Sequence, residues 1–220
     1  MPTPPSDRSL QAPEGASAPN EPEKRRAILH AAVRVFAEKG YHGCRISDVA
    51  KQAGVAYGLV YHYFRNKEEL LESVFAEQWA VFIAALRAIA DGGGSALDQV
   101  AAVCRFAIDV FRTAPAAVRV LLLEVARTPG TLRAGSTRQT FEDAARIVAG
   151  IVARGKERGE IRADADPMVV ATGLLGALEL TMTGMVVGLL GGPGDAEIQR
   201  VERGIIDLVL AGVSARGQRN

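Results

Sequence analysis

The sequence predicts an all-α chain: a small basic three-helix unit, then a larger set of apolar helices. Three observations carry this. Apolar residues recur at i, i+3, i+4, i+7 in segment after segment, and no stretch shows the alternation of a half-buried strand. Glycine and proline punctuate those segments at Gly40, Gly54, Gly92–Gly94, Pro115, Pro129-Gly130, Gly159, Pro167 and Gly191–Gly194. Charge is divided unevenly: from Lys24 to Lys67 nine basic residues face only Glu38 and Asp48, a local net charge of +7 in a chain whose total is +1. A basic segment of this kind suits a polyanion, while the acidic remainder suits another task.

Taken in order, residues 1–21 carry Pro2, Pro4, Pro5, Pro13 and Pro19 among Ser, Gly and Glu. That composition predicts a disordered tail. From about Glu23 the stripe Ile28, Ala32, Val35, Phe36 predicts a helix, opened by Pro22 and closed by Gly40. Lys24, Arg25 and Arg26 then fall on its first turn, where the helix dipole disfavours cations and a nearby phosphate would favour them.

The most informative stretch runs from Ile46 to Phe64. Ile46, Val49, Ala50 and Ala53 form one apolar face, and Val60, Tyr63 and Phe64 a second. Gly54 between them can take the left-handed conformation that ends a helix, and Val55 can plug the gap, so the pair reads as a helix-turn-helix. Its outer face holds Tyr57, Gly58, Tyr61 and His62, none of them acidic, a surface suited to a DNA groove.

Asn66 can cap the next helix, with Glu68 and Glu69 at its positive end, and that helix should run from Lys67 to Ala90. Further helices are expected at about 96–113, 116–127, 136–158, 167–190 and 196–215. Met168 to Leu190 is apolar almost all round and, at ~1.5 Å per residue, long enough to span a bilayer. Glu179 near its centre, three threonines and the lack of a flanking basic cluster argue instead for a helix buried by its own domain and by a second subunit. The last helix, with Ile198, Val201, Ile205, Leu208 and Val209, adds another apolar face, so a homodimer through the last two helices is expected and no membrane partner. Cys44 and Cys104 give no disulfide framework and read as reduced, buried thiols. No apolar signal-peptide core opens the chain, so a cytoplasmic location is expected.

The run from Arg25 to Phe75 resembles the N-terminal domain of TetR-family transcriptional regulators. The match is densest at Ala53-Gly-Val-Ala-Tyr-Gly-Leu-Val-Tyr-His-Tyr-Phe-Arg-Asn-Lys-Glu-Glu-Leu-Leu71 and includes Phe36, Gly40-Tyr41 and Val49-Ala50. The resemblance covers about a quarter of the chain. It implies an N-terminal three-helix helix-turn-helix DNA-binding domain (22–67) plus a C-terminal helical ligand-binding and dimerisation domain (68–216). It also implies a repressor, released from a double-stranded DNA operator by a small-molecule effector. Carried over by position, Tyr57 and Gly58 meet base edges, and Tyr61, His62 and Lys67 meet phosphates. At position 45 the family often has Thr; Arg45 could still reach a phosphate but cannot cap a helix, a task left to Ser47 or Asp48. Ala56 stands where Ser or Thr is usual, and Leu59 replaces a common Thr, offering apolar contact to a thymine methyl.

The effector pocket implied by this resemblance should lie among the middle helices. Apolar candidates are Trp79, Phe82, Phe106, Val110, Phe111, Leu122, Phe141, Ile147 and Leu175; polar ones that could orient a ligand are Arg105, Asp109, Glu124 and Glu179. The apolar majority points to a hydrophobic or amphipathic effector. No nucleophile motif, Walker loop or dinucleotide fingerprint is present, so no cofactor and no catalysis are expected. His42 and Cys44 have ligand chemistry but no second pair at metal spacing, so no metal site is expected either. The rival reading is a helical small-molecule-binding protein or enzyme whose basic segment is incidental.

Overall fold

The computed structural model describes residues 21–125, 135–191 and 194–215, and the predicted tail lies outside them except for Glu21. The described residues contain no strand, only helices and one isolated bridge between Ile161 and Ser214. The all-α expectation holds.

The first helix, α1, spans Glu21–Lys39 and buries Ile28, Leu29, Ala32, Val35 and Phe36 along one face. It begins two residues earlier than expected, which places Glu21 and Glu23 in the first turn and removes the unfavourable dipole contact inferred for the basic run. Gly40 ends it with φ 71°. The next two helices, α2 (Ile46–Ala53) and α3 (Tyr57–Tyr63), turn about Gly54, whose φ of 68° is the left-handed geometry read from the sequence. The Val55 N–H donates to the Ala50 carbonyl at 3.0 Å, closing the turn. Asn66 caps α4 (Lys67–Asp91) by accepting the Glu69 N–H at 2.8 Å.

α5 (Ala96–Thr113) opens on a capping box in which Ser95 and Asp98 exchange hydrogen bonds. α6 (Pro115–Arg119) then passes directly into a π-helical turn, Val120–Val125. Sequence periodicity predicted one α-helix here, because a single widened turn leaves no repeating mark on the pattern. α7 (Gly135–Glu157), α8 (Pro167–Val186) and α9 (Asp195–Val213) complete the bundle. α8 stops four residues short of the expected Leu190: Gly188 at φ 77° folds residues 187–190 back so that Leu190 packs over Gly184.

Two apolar clusters result. One joins α1, α2 and α3 to the first half of α4 through Phe36, Val49, Val60, Phe64, Leu70 and Leu71. The other joins Leu86 at the far end of α4 to α5, α7, α8 and α9 through residues such as Val103, Ile108, Val152, Leu174 and Ile205. Close helix approach matters in the second, since a methyl group on Gly155 would sit 2.5 Å from the Ala96 Cβ. Val120 of the π-helical turn is fully buried in the first cluster, while Leu122 packs against the second. Both cysteines are buried thiols, and burial pushes the Cys104 thiol up to about 11. By length and composition alone, α4 and α8 could each cross a membrane; here α8 packs on α7 and α4 bridges the two clusters.

Candidate nucleic-acid interface and adjoining cavity

The outward face of α3 is built on an anchored inner face: Val60 and the following Phe64 are buried, while Tyr57 and Tyr61 are 54% and 44% exposed. The two tyrosine rings meet edge to face at 5.2 Å, and the hydroxyls share a hydrogen bond at 3.3 Å. That bond raises the Tyr61 pKa above its ordinary value. His62 is exposed and lies 3.9 Å from the Glu21 carboxylate. Tyr63 points the other way, donating to the Glu21 carbonyl at 3.2 Å and tying α3 to the start of α1. Gly58 is open to solvent, with nothing near the position of a Cβ. Leu59 is partly covered and Ala56 supplies no side-chain cap, so α3 begins with its amides free of side-chain acceptors.

At the start of α2, Ser47 and Arg45 are exposed and Asp48 does the capping, accepting the Arg45 N–H at 2.8 Å. Asp48 also takes Lys39 at 2.8 Å, and this pair with the backbone bond lowers its pKa. Arg26, Arg34, Arg45 and Lys51 are exposed with no ion pair among the described residues.

Lys67 stands apart from the other candidates. Its ammonium donates to the carbonyls of Tyr41 (2.6 Å) and Cys44 (3.0 Å) and sits 4.5 Å from the centre of the Tyr41 ring. Tyr41 in turn donates to Glu68 at 2.9 Å; burial and that bond raise the Tyr41 pKa well beyond the usual tyrosine range. The lysine therefore braces the loop before α2, leaving one N–H for a phosphate.

Below this head lies a cavity of about 460 Å³, within the range of small-molecule sites. α4 lines it with Phe75, Gln78, Trp79, Val81 and Phe82; α5 with Phe106, Ala107 and Val110; α6 and the π-helical turn with Ala117, Val118, Leu121 and Leu122; α7 with Phe141 and Ala145. α8 adds Thr172, Leu175, Gly176, Leu178, Glu179 and Met182. Trp79 makes edge contacts with Phe82 at 5.2 Å and Phe141 at 4.9 Å.

Residues 28–74 match the profile of bacterial regulatory proteins of the tetR family. That segment is the family's N-terminal domain. The chain is 28% identical to the fatty acid metabolism regulator protein of Bacillus subtilis over 84% of its own length and 93% of the relative's. Its fold is similar to the fatty acid degradation regulator FadR from Bacillus halodurans (TM-score 0.77, 25% identity, 86% and 95% coverage). It is also similar to FadR from Bacillus subtilis in complex with stearoyl-CoA (TM-score 0.75, 28% identity, 85% and 98% coverage).

Of the pocket residues expected from the TetR-like sequence, Trp79, Phe82, Phe106, Val110, Leu122, Phe141, Leu175 and Glu179 line the cavity, whereas Phe111 and Ile147 pack into the second apolar cluster instead. Asp109 does not: it is exposed and paired with Arg112 one turn on, its carboxylate drawn to the surface by that guanidinium. Arg105 is exposed and also outside the lining. The side chain of Glu124 lies outside the described residues. Reading by type missed Phe75, Gln78, Leu121, Thr172 and Met182, which helical spacing assigns to plain core or to a polar flank. The other face of α8 carries an exposed stripe of Val169, Gly173 and Leu180, the leucine 73% exposed, and α9 exposes Leu208 at 68%.

Proposed function

We propose that this regulator is a homodimeric repressor that binds a double-stranded DNA operator and leaves it when a hydrophobic or amphipathic small molecule fills the cavity. In this reading residues 22–67 form the DNA-reading unit and 68–216 the effector and dimerisation unit, with no catalytic step and a cytoplasmic site of action. Tyr57 and Gly58 meet base edges; Arg45, Ser47, Tyr61, His62 and Lys67 meet phosphates; Ala56 and Leu59 alter operator preference where hydroxyls are usual.

The observation that carries the proposal is shared structure: Phe75, Trp79 and Leu121 line the cavity and also pack against the N-terminal cluster. A ligand that moves these side chains acts on the helices that support α3. The stearoyl-CoA held by the Bacillus subtilis relative supports a long apolar ligand in this fold. The exposed apolar stripe on α8, continued by Leu208 on α9, supports the dimer. Selection of bound duplexes from a random library tests the reading. Enrichment of a two-fold-related site whose half-sites lie about one helical turn apart, and its loss in Tyr61→Ala, is the expected result. Failure of the full-length chain to enrich any duplex at low salt overturns it.

A further inference from the structure

The lining of the cavity contains one charged group among the described residues, the carboxylate of Glu179, and no cation. Glu179 makes no ion pair among those residues. Two turns earlier on the same face of α8, Thr172 donates its hydroxyl proton back to the carbonyls of Met168 and Val169 at 2.9 and 3.1 Å, so that toward the cavity it offers lone pairs. Phe75, Trp79, Phe82, Phe106 and Phe141 form much of the remaining wall, and aromatic faces attract cations. Carboxylate, hydroxyl acceptor and ring faces all favour the same ligand chemistry. A ligand carboxylate or phosphate placed here would face Glu179 with no arginine or lysine to offset the repulsion.

We propose that the effector's polar end is a protonated amine or another hydrogen-bond donor, and that Glu179 is the residue that selects it. The inference rests on the cavity being the effector site. It goes further in fixing the sign of the polar group, and it sets this chain's preference apart from an anionic amphiphile. Two unit charges about 4 Å apart in water-like surroundings change affinity roughly fivefold, in opposite directions for the two signs, so matched amine and carboxylate ligands should differ by at least about tenfold.

Trp79 is the chain's only tryptophan and lies in the wall, so its fluorescence reports occupancy directly. The full-length chain is titrated at pH 7 and low salt with dodecylamine, dodecanol and dodecanoate, three probes of one tail length. Binding should be tightest for the amine and weakest for the carboxylate. Glu179→Gln should bring the three within about threefold of one another, and Glu179→Arg should reverse the order. Equal thermal stabilisation of all three proteins by dodecanol shows that the variants keep their cavity. Equal affinities for all three probes in the wild type overturn the assignment of Glu179 while leaving the cavity reading intact. Tighter binding of stearoyl-CoA than of the amine, unchanged in Glu179→Gln, also overturns it. Absence of any response to dodecanol removes the cavity reading, and this proposal with it.

Discussion

Replacing Lys67 by alanine separates two roles that the sequence merges. The TetR-like motif implies a phosphate contact for this lysine, yet two of its ammonium protons go to the Tyr41 and Cys44 carbonyls at 2.6 and 3.0 Å. Hydrogen bonds to a charged donor contribute about 1.5–3 kcal/mol each, and truncation leaves both carbonyls needing water. Because the site is only half-buried, water recovers part of that loss, and a net cost of about 2–3 kcal/mol is expected. For a chain of this length the melting temperature should fall by roughly 4–12 °C. The loop from Gly40 to Arg45 should loosen with it, weakening DNA binding through misplacement of Arg45 and the start of α2. Thermal unfolding followed by circular dichroism, alongside duplex titrations over a range of salt, measures both effects. A phosphate contact alone would leave the melting temperature unchanged and reduce the log-log salt slope by about 0.9. That outcome would refute the brace.

Tyr61→Ala is the complement: stability should change by under about 0.5 kcal/mol, while operator affinity, measured by fluorescence anisotropy, should fall at least tenfold. Leu180→Arg places a cation in the exposed apolar stripe and should yield monomers by light scattering, with loss of operator binding. Gly155→Ala should cost about 1–3 kcal/mol in denaturant unfolding, because the new methyl overlaps Ala96 and Ile161. Asp48 has a lowered folded pKa, so its stabilisation is present above the unfolded carboxylate value of about 3.9 and lost as pH falls through the folded one; Asp48→Asn should flatten the fall in melting temperature below about pH 4.

Legibility in the sequence followed the range of the interaction. The caps at Asn66, Gly40 and Gly54 and the division of α3 into buried Val60 and exposed Tyr57 and Tyr61 depend on neighbours within a few residues, and each was readable from spacing. The end of α8 was not, because Val187, Leu189 and Leu190 continue an apolar pattern while Gly188 bends the backbone away from it. Lys67 meets carbonyls 23 and 26 residues back, a contact that no local pattern encodes. Aromatic pocket candidates other than Phe111, which packs into the core, were found because size and type suffice to select them. The polar ones were divided by facts of packing: Glu179 borders the cavity, whereas Asp109 is drawn to Arg112.

The feature least visible in the sequence is the one best placed to connect cavity and head. In an α-helix three consecutive residues point some 100° apart, and the widened π-helical turn resets that progression. Here Val120 enters the N-terminal cluster, Leu121 touches both that cluster and the cavity, and Leu122 lines the cavity. Burial of one valine contributes about 1.5–3 kcal/mol, and couplings between ligand sites are typically about 1–3 kcal/mol. Partial withdrawal of Val120 when a ligand displaces Leu121 and Leu122 is therefore large enough to change operator affinity by 5- to 150-fold, the range such couplings span. No large domain rotation is required to supply the energy; the close packing of the first cluster passes a small displacement from α1 to α2 and, through α2, to the α3 packed on it.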